Sequence, residues 1–190
     1  MLIDRRSQKL STCACLEHEP IYGHRGYDLA LATVSKQVSE EFLACLYQQH
    51  EIHFSCLCDL RRHLSTNKAL FVNIREIKVH WLGPEADTTF RMLAKMKQLK
   101  HLTLEVSKAT TANLSKRQVE MNRYFEQQSR QPRLSDALGM DELLEIRGLE
   151  SVDVHHILAK QGKRRTDEEK ANLKHLLRDR LLQPRSVGRH

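Results

Sequence analysis

Apolar residues recur along this chain as apolar-x-x-apolar-x-apolar: first Ile74, Ile77 and Val79, then Leu99, Leu102 and Leu104, then Leu149, Val152 and Val154. The copies begin 25 and 50 residues apart, so they share one 25-residue lattice with a place skipped. One further step before Ile74 falls on Gln49, and Ile52 and Phe54 follow it at the same offsets. The alternating end of each copy has the period of a half-buried strand. Strands are therefore predicted at Glu51–Phe54, about Arg75–His80, about His101–Val106 and Leu149–His155.

The segments between them repeat every three or four residues, the period of an amphipathic helix. A helix is predicted from Asp28 through Leu31, Val34, Val38, Phe42 and Leu46, its stripe facing the core. A short one runs from Asp59 to about Ser65 with Leu60 and Leu64 inward. Asp87 is the expected cap of a third, whose inward positions are Phe90, Leu93, Ala94 and Met96 or Lys97, and Gly83-Pro84 breaks the chain before it. A fourth is expected over Ser135–Ile146, closed by Gly148. The last begins at the capping box Thr166–Glu169, buries Leu173, Leu176, Leu177 and Leu181, and stops at Pro184. Strands joined by helices are parallel, with right-handed crossovers. A 25-residue strand-plus-helix period marks a solenoid of the leucine-rich-repeat type. The expected fold is thus α/β: a short, irregular, leucine-rich-repeat-like βα solenoid with parallel strands, a helical N-terminal part and a C-terminal capping helix.

Residues 1–27 carry no sustained period and read as an irregular lead-in. Residues 28–159 form the repeat domain. The skipped lattice place lies within an insertion at about 107–134, where a weak stripe of Leu114, Val119, Met121 and Phe125 is set among Lys, Arg, Gln and Ser. Insertions in solenoids gather on one face, which is often the binding face.

Charge singles out the rest. Of the net +7, residues 160–190 carry +6, ten Lys or Arg against four Asp or Glu, while the first 159 balance at 21 against 20. The basic element is the tail, and the broad basic footprint of a nucleic-acid-binding domain is missing from the body. No apolar run approaches the ~18 residues of a membrane span, and the polar start Met1-Leu-Ile-Asp-Arg-Arg does not resemble a signal-peptide core. Five cysteines, an odd number, fit a reducing compartment. The expected location is intracellular, cytoplasmic or nuclear, with no membrane partner and a monomeric chain. Cys13-Ala-Cys15 and Cys56-Leu-Cys58, the latter near His50 and His53, invite a zinc reading. C-x-C is a poorer chelate than C-x-x-C, so Cys45 and one cysteine of each pair are read as small core residues and the others as reduced surface thiols, with no metal and no cofactor. Cys45 or Cys56 with His50 or His53 is the one candidate thiolate-imidazole pair. No Walker A, G-x-G-x-x-G, H-E-x-x-H or G-x-S-x-G run is present, so no enzyme is expected.

The run from Leu29 to Phe54, with Val34-Ser-Lys-Gln-Val38, Glu40-Glu41, Leu46-Tyr47 and His53-Phe54, resembles a segment of the F-box-like proteins of filamentous fungi. The strands at Ile74–Val79, Leu99–Leu104 and Leu149–Val154 resemble the leucine-rich part that follows it in those proteins. The resemblance implies a substrate-recognition protein of a ubiquitin ligase. Residues 1–28 hold no match to the leucine-proline helix through which that family contacts the Skp-type adaptor. The place after each strand where leucine-rich repeats carry Asn or Cys holds Leu82, Ser107 and Ile157, so the repeat is degenerate.

The function read from the chain is a non-catalytic protein–protein interaction module. Its candidate contacts are the outward strand residues Glu76, Lys78, His80, His101, Thr103 and Glu105, with His53, Asp153 and His155 beside them. The alternative is weak binding of nucleic acid or another anionic surface through Lys163, Arg164, Arg165, Lys170, Lys174 and Arg178.

Overall fold

The computed structural model describes residues 35–124, 132–157 and 166–185. Among them are seven α-helices and four strands: α1 (Lys36–Gln49), β1 (Glu51–Phe54), α2 (Leu57–Thr66), α3 (Lys68–Asn73), β2 (Glu76–His80), α4 (Ala86–Lys95), β3 (His101–Val106), α5 (Lys116–Tyr124), α6 (Met140–Leu143), β4 (Ser151–His156) and α7 (Asp167–Leu181). The strands form one parallel sheet in chain order, β1-β2-β3-β4. The 25-residue lattice is its register: Ile52 pairs with Ile77, Ile77 with Leu102 and Leu102 with Val152. The strand entries repeat as well. The Arg75 carbonyl accepts the N–H groups of Lys100 and His101, and the Lys100 carbonyl accepts those of Glu150 and Ser151. The skipped lattice place supplies no strand, because β3 pairs directly with β4 and helix α5 occupies the chain around Tyr124.

Inward strand residues Phe54, Ile77, Val79, Leu102, Leu104, Val106, Val152 and Val154 share one core with Leu57, Leu60 and Leu64 of α2, Leu70 of α3, Phe90 and Leu93 of α4, and Met140 and Leu143 of α6. These helices therefore lie on the apolar face of the sheet. Trp81, the chain's single tryptophan, is 1% exposed, meets the Phe90 ring edge-on at 5.4 Å and donates Nε1–H to the Leu138 carbonyl at 2.9 Å. Such a pair adds about 1 kcal/mol beyond the area it buries. Helix α7 packs along β4 with Leu173, Leu177 and Leu181 buried. Its C-terminal end returns to the sheet through Leu149 N–H to the Leu181 carbonyl and Gly148 N–H to the Gln183 carbonyl.

Several local expectations are corrected. The helix drawn from Asp28 does not run unbroken to Leu46: Ser35 is extended and caps α1 by accepting the Val38 N–H, and residues 28–34 lie outside the described residues. The α1 stripe is half-buried, with no residue fully buried. Helix α2 begins at Leu57, two residues before Asp59, because Cys56 Sγ caps it. Asp87 lies in the first turn of α4; the cap is Glu85, without a side-chain bond, and Asp87 acts on the helix dipole. Helix α3 was not expected. Asn67 closes α2 and, through Oδ1 accepting the Leu70 N–H, opens α3, whose six residues are too few to show a period. Leu176, expected inward, is 37% exposed.

The helix expected over Ser135–Ile146 is broken into a 3-10 turn at Leu134–Asp136 and the single turn α6. Gly139 lies between them at φ +86°, and a Cβ there would come within 2.8 Å of the Ala86 carbonyl carbon and of Phe90 Cδ2. The chain crosses the start of α4 too closely for any side chain. Gly148, at φ +74°, would place a Cβ 2.9 Å from Cγ of Arg185, whose guanidinium donates to the Arg147 and Met96 carbonyls and would have to shift. Gly139→Ala is accordingly expected to destabilise the protein by about 3 kcal/mol, positive-φ strain plus overpacking against backbone, and Gly148→Ala by about 2 kcal/mol, positive-φ strain plus displacement of Arg185. Denaturant unfolding followed by Trp81 emission measures both, and equal losses would contradict the close crossing at Gly139.

Candidate functional site

Strand alternation that buries one face turns the other residues onto a polar face. They stand in rows across the sheet: Glu51, Glu76, His101 and Ser151; then His53, Lys78, Thr103 and Asp153; then His80, Glu105 and His155. Of the sequence-derived contacts, Glu76, Lys78, His101, Thr103 and Glu105 are partly exposed on this face, with His53 and Asp153 beside them and His155 exposed. His80 differs. It is 5% exposed, and its Nε2 lies 3.0 Å from Ser107 Oγ, so it is an internal group rather than a contact.

The centre of the face is an ionic knot across three strands. Glu105 Oε2 accepts His53 Nε2–H at 2.9 Å, and Oε1 accepts Lys78 Nζ–H at 2.9 Å. Burial by itself would raise the Glu105 carboxyl, but hydrogen bonds from His53 and Lys78, with their charges, outweigh it and lower its pKa from 4.5 to about 2. At the β4 edge, Lys174 of α7 pairs with Asp153 at 2.5 Å. At the strand entries His101 Nδ1 lies 2.8 Å from Ser151 Oγ, and Lys100 donates to Glu150, which lowers that carboxyl. Ser151, Glu150 and the reach of Lys174 to Asp153 were missed in the sequence. Strand position marks Ser151, but nothing in the spacing of Lys174 and Asp153 signals that α7 folds back along β4.

The basic tail is divided. Lys163, Arg164 and Arg165 lie outside the described residues. On α7, Lys170 pairs with Asp167 at 3.0 Å and Lys174 with Asp153, while Arg178 is exposed. Asp167, Glu168 and Glu169 open the same helix. An open cleft of about 600 Å³ beside it is lined by both signs, Lys108 and Arg133 against Glu168 and Glu169, over Leu134, Met140, Leu173 and Leu176.

The chemical candidates resolve as follows. Cys45, expected in the core, is instead exposed on α1; Cys56 is buried with its sulfur accepting the Asp59 N–H, and His53 bonds Glu105 on the polar face. The described residues thus set His53 and Cys56 to different tasks. Ser107 and His80 have the distance of a hydroxyl–imidazole pair, yet Ser107 Oγ also accepts the Ala109 N–H as the cap of the 3-10 turn at Lys108–Thr111. Both residues are sealed from solvent, a structural arrangement. Among the described residues no three metal-ligating side chains converge; Cys13 and Cys15 lie outside them. No described helix is long and apolar enough to cross a membrane.

Comparison with protein-family models, with characterised proteins and with solved structures gives no match.

Because the folded carboxyl of Glu105 titrates below its ordinary value, its contribution is complete above about pH 4.5 and fades as pH falls toward 2. Glu105→Gln is expected to cost about 3 kcal/mol at neutral pH, with the gap to the unaltered protein closing through that acid window. Denaturant midpoints taken across the pH range test this, and a gap that stays constant would contradict the ionic knot.

Proposed function

We propose that the protein is a non-catalytic interaction module that offers the polar face of its sheet to a protein partner. One observation carries the reading: the parallel sheet is apolar on one face and polar on the other. Parallel sheets covered on both faces have strands that are apolar throughout, whereas these alternate in every strand. Consecutive crossovers of one hand place their helices on one side, and the strand order has no switch point at which a doubly wound sheet forms its ligand crevice. What is left is a broad surface of His, Lys, Glu, Thr and Asp, suited to recognising another surface.

The same features support a short, irregular solenoid of the leucine-rich-repeat type: chain-order strands, a 25-residue register and α7 packed on the last strand. Its turns depart from the Asn pattern. Ser107, at the Asn position after β3, closes its turn by capping Lys108–Thr111, and Leu82, after β2, is buried. The resemblance of residues 29–54 to F-box-like proteins extends the proposal to substrate recognition within a ubiquitin ligase, in the cytoplasm or nucleus. The ion pairs that engage Lys170 and Lys174 favour the protein-binding reading over a polyanion bound along α7.

Thr103 sits at the centre of the face and is partly exposed. In a quantitative pull-down from cells, the unaltered chain should retain a defined set of proteins that Thr103→Arg loses, with Trp81 emission confirming that the variant is folded. Retention of the same set by Thr103→Arg would overturn the strand-face reading. Recovery of an adaptor or cullin subunit is the result expected from the ubiquitin-ligase extension, and a partner set without either would overturn that extension alone.

A further inference from the structure

Helix α5 stands apart from the rest of the fold. Its start is pinned, since Ser115 donates its N–H to the Asp136 carbonyl, Ser115 Oγ accepts the Gln118 N–H, and Leu114 bridges Ala137. Beyond that no residue of the helix is buried. Three of the six large apolar side chains exposed among the described residues are here: Val119 at 40%, Met121 at 43% and Tyr124 at 84%. Lys116, Arg117 and Arg123 are also exposed, and none of them forms an ion pair among the described residues. Elsewhere Arg61, Lys78, Arg91, Lys100 and Lys174 each have a carboxylate partner.

The positions are ordered. Arg117, Met121 and Tyr124 follow the i, i+4, i+7 spacing that forms one helical stripe, and Lys116 and Arg123 lie together on one side of it. Most helical stability in proteins comes from packing of an amphipathic face, and among the described residues none of α5 is buried. Covering this stripe would bury its apolar side chains and bring acids to its cations. Arg, Met and Tyr are the residue types enriched in protein interfaces.

We propose that the Arg117–Met121–Tyr124 stripe is a second docking surface, for an acidic segment of a protein partner that also carries apolar side chains. Glu120 lies among the cations and Val119 and Met121 border them, a composition that suits acidic residues set beside an apolar anchor. A phosphate backbone gains from cations alone and would meet the Glu120 carboxylate. The surface is separate from the strand face, and either can fail without the other.

A fluorescein-labelled peptide of aspartate and glutamate with central leucine and phenylalanine residues is the probe, titrated with the full chain and followed by anisotropy. A fluorescein-labelled single-stranded oligonucleotide is titrated in parallel. The peptide should bind, and Arg117→Glu with Arg123→Glu should weaken it roughly tenfold or more, as should Tyr124→Ala. Lys95→Glu on α4 and Thr103→Arg on the strand face should leave binding unchanged. The substituted side chains of α5 are exposed, so each variant should keep the Trp81 emission of the folded protein. No peptide binding by the unaltered chain, binding indifferent to the α5 substitutions, or a preference for the oligonucleotide would overturn the proposal. Loss on Thr103→Arg would also overturn it, by moving the peptide to the strand face.

Discussion

The stacking of inward strand residues in one register holds the molecule together. Ile52, Ile77, Leu102 and Val152 form one ladder, and Phe54, Val79, Leu104 and Val154 form the next. Each fully buried aliphatic side chain of this kind contributes about 1.5–3 kcal/mol. A slip of one residue would turn the whole set of a strand outward, so the register is strongly specified. Three consequences follow: the helices gather on the apolar face, the polar residues fall into rows on the other, and the edge strand β4 receives an apolar covering from Leu173, Leu177 and Leu181.

The polar face is organised from within as well. Glu105 is only 13% exposed as a side chain and would be costly there without partners. His53 and Lys78, two strands and one strand away, supply them. Their charges are largely internal to the face, which leaves Thr103, Glu76 and the exposed His155 as the residues freest to meet another molecule. His80 is withdrawn by its contact with Ser107.

The strands were legible in the sequence because a two-residue period in fixed phase survives the irregularity of what lies between; β1 and β3 have the predicted bounds. The helices were legible where they are long, as in α7 with its Thr166 cap and buried leucines. Failures came where a backbone contact from a distant element decides the geometry. Gly139 breaks the expected helix because the chain crosses α4, and no pattern near Gly139 records where α4 will be. The outward parity of His80 was readable, but its burial depends on Ser107, which is 27 residues away. The cationic and apolar exposure of α5 was half visible as a weak stripe; that none of its residues is buried among the described ones is a tertiary fact.

The claim that most depends on this account is that the polar strand face, and not the helical face, meets a protein partner. A photo-crosslinking amino acid placed at Thr103 and, separately, at the exposed Lys95 of α4 tests it in cells. A discrete protein adduct is expected from position 103, suppressed by competing unaltered chain, with none from position 95. Adducts at 95 alone, or equally at both, would contradict it.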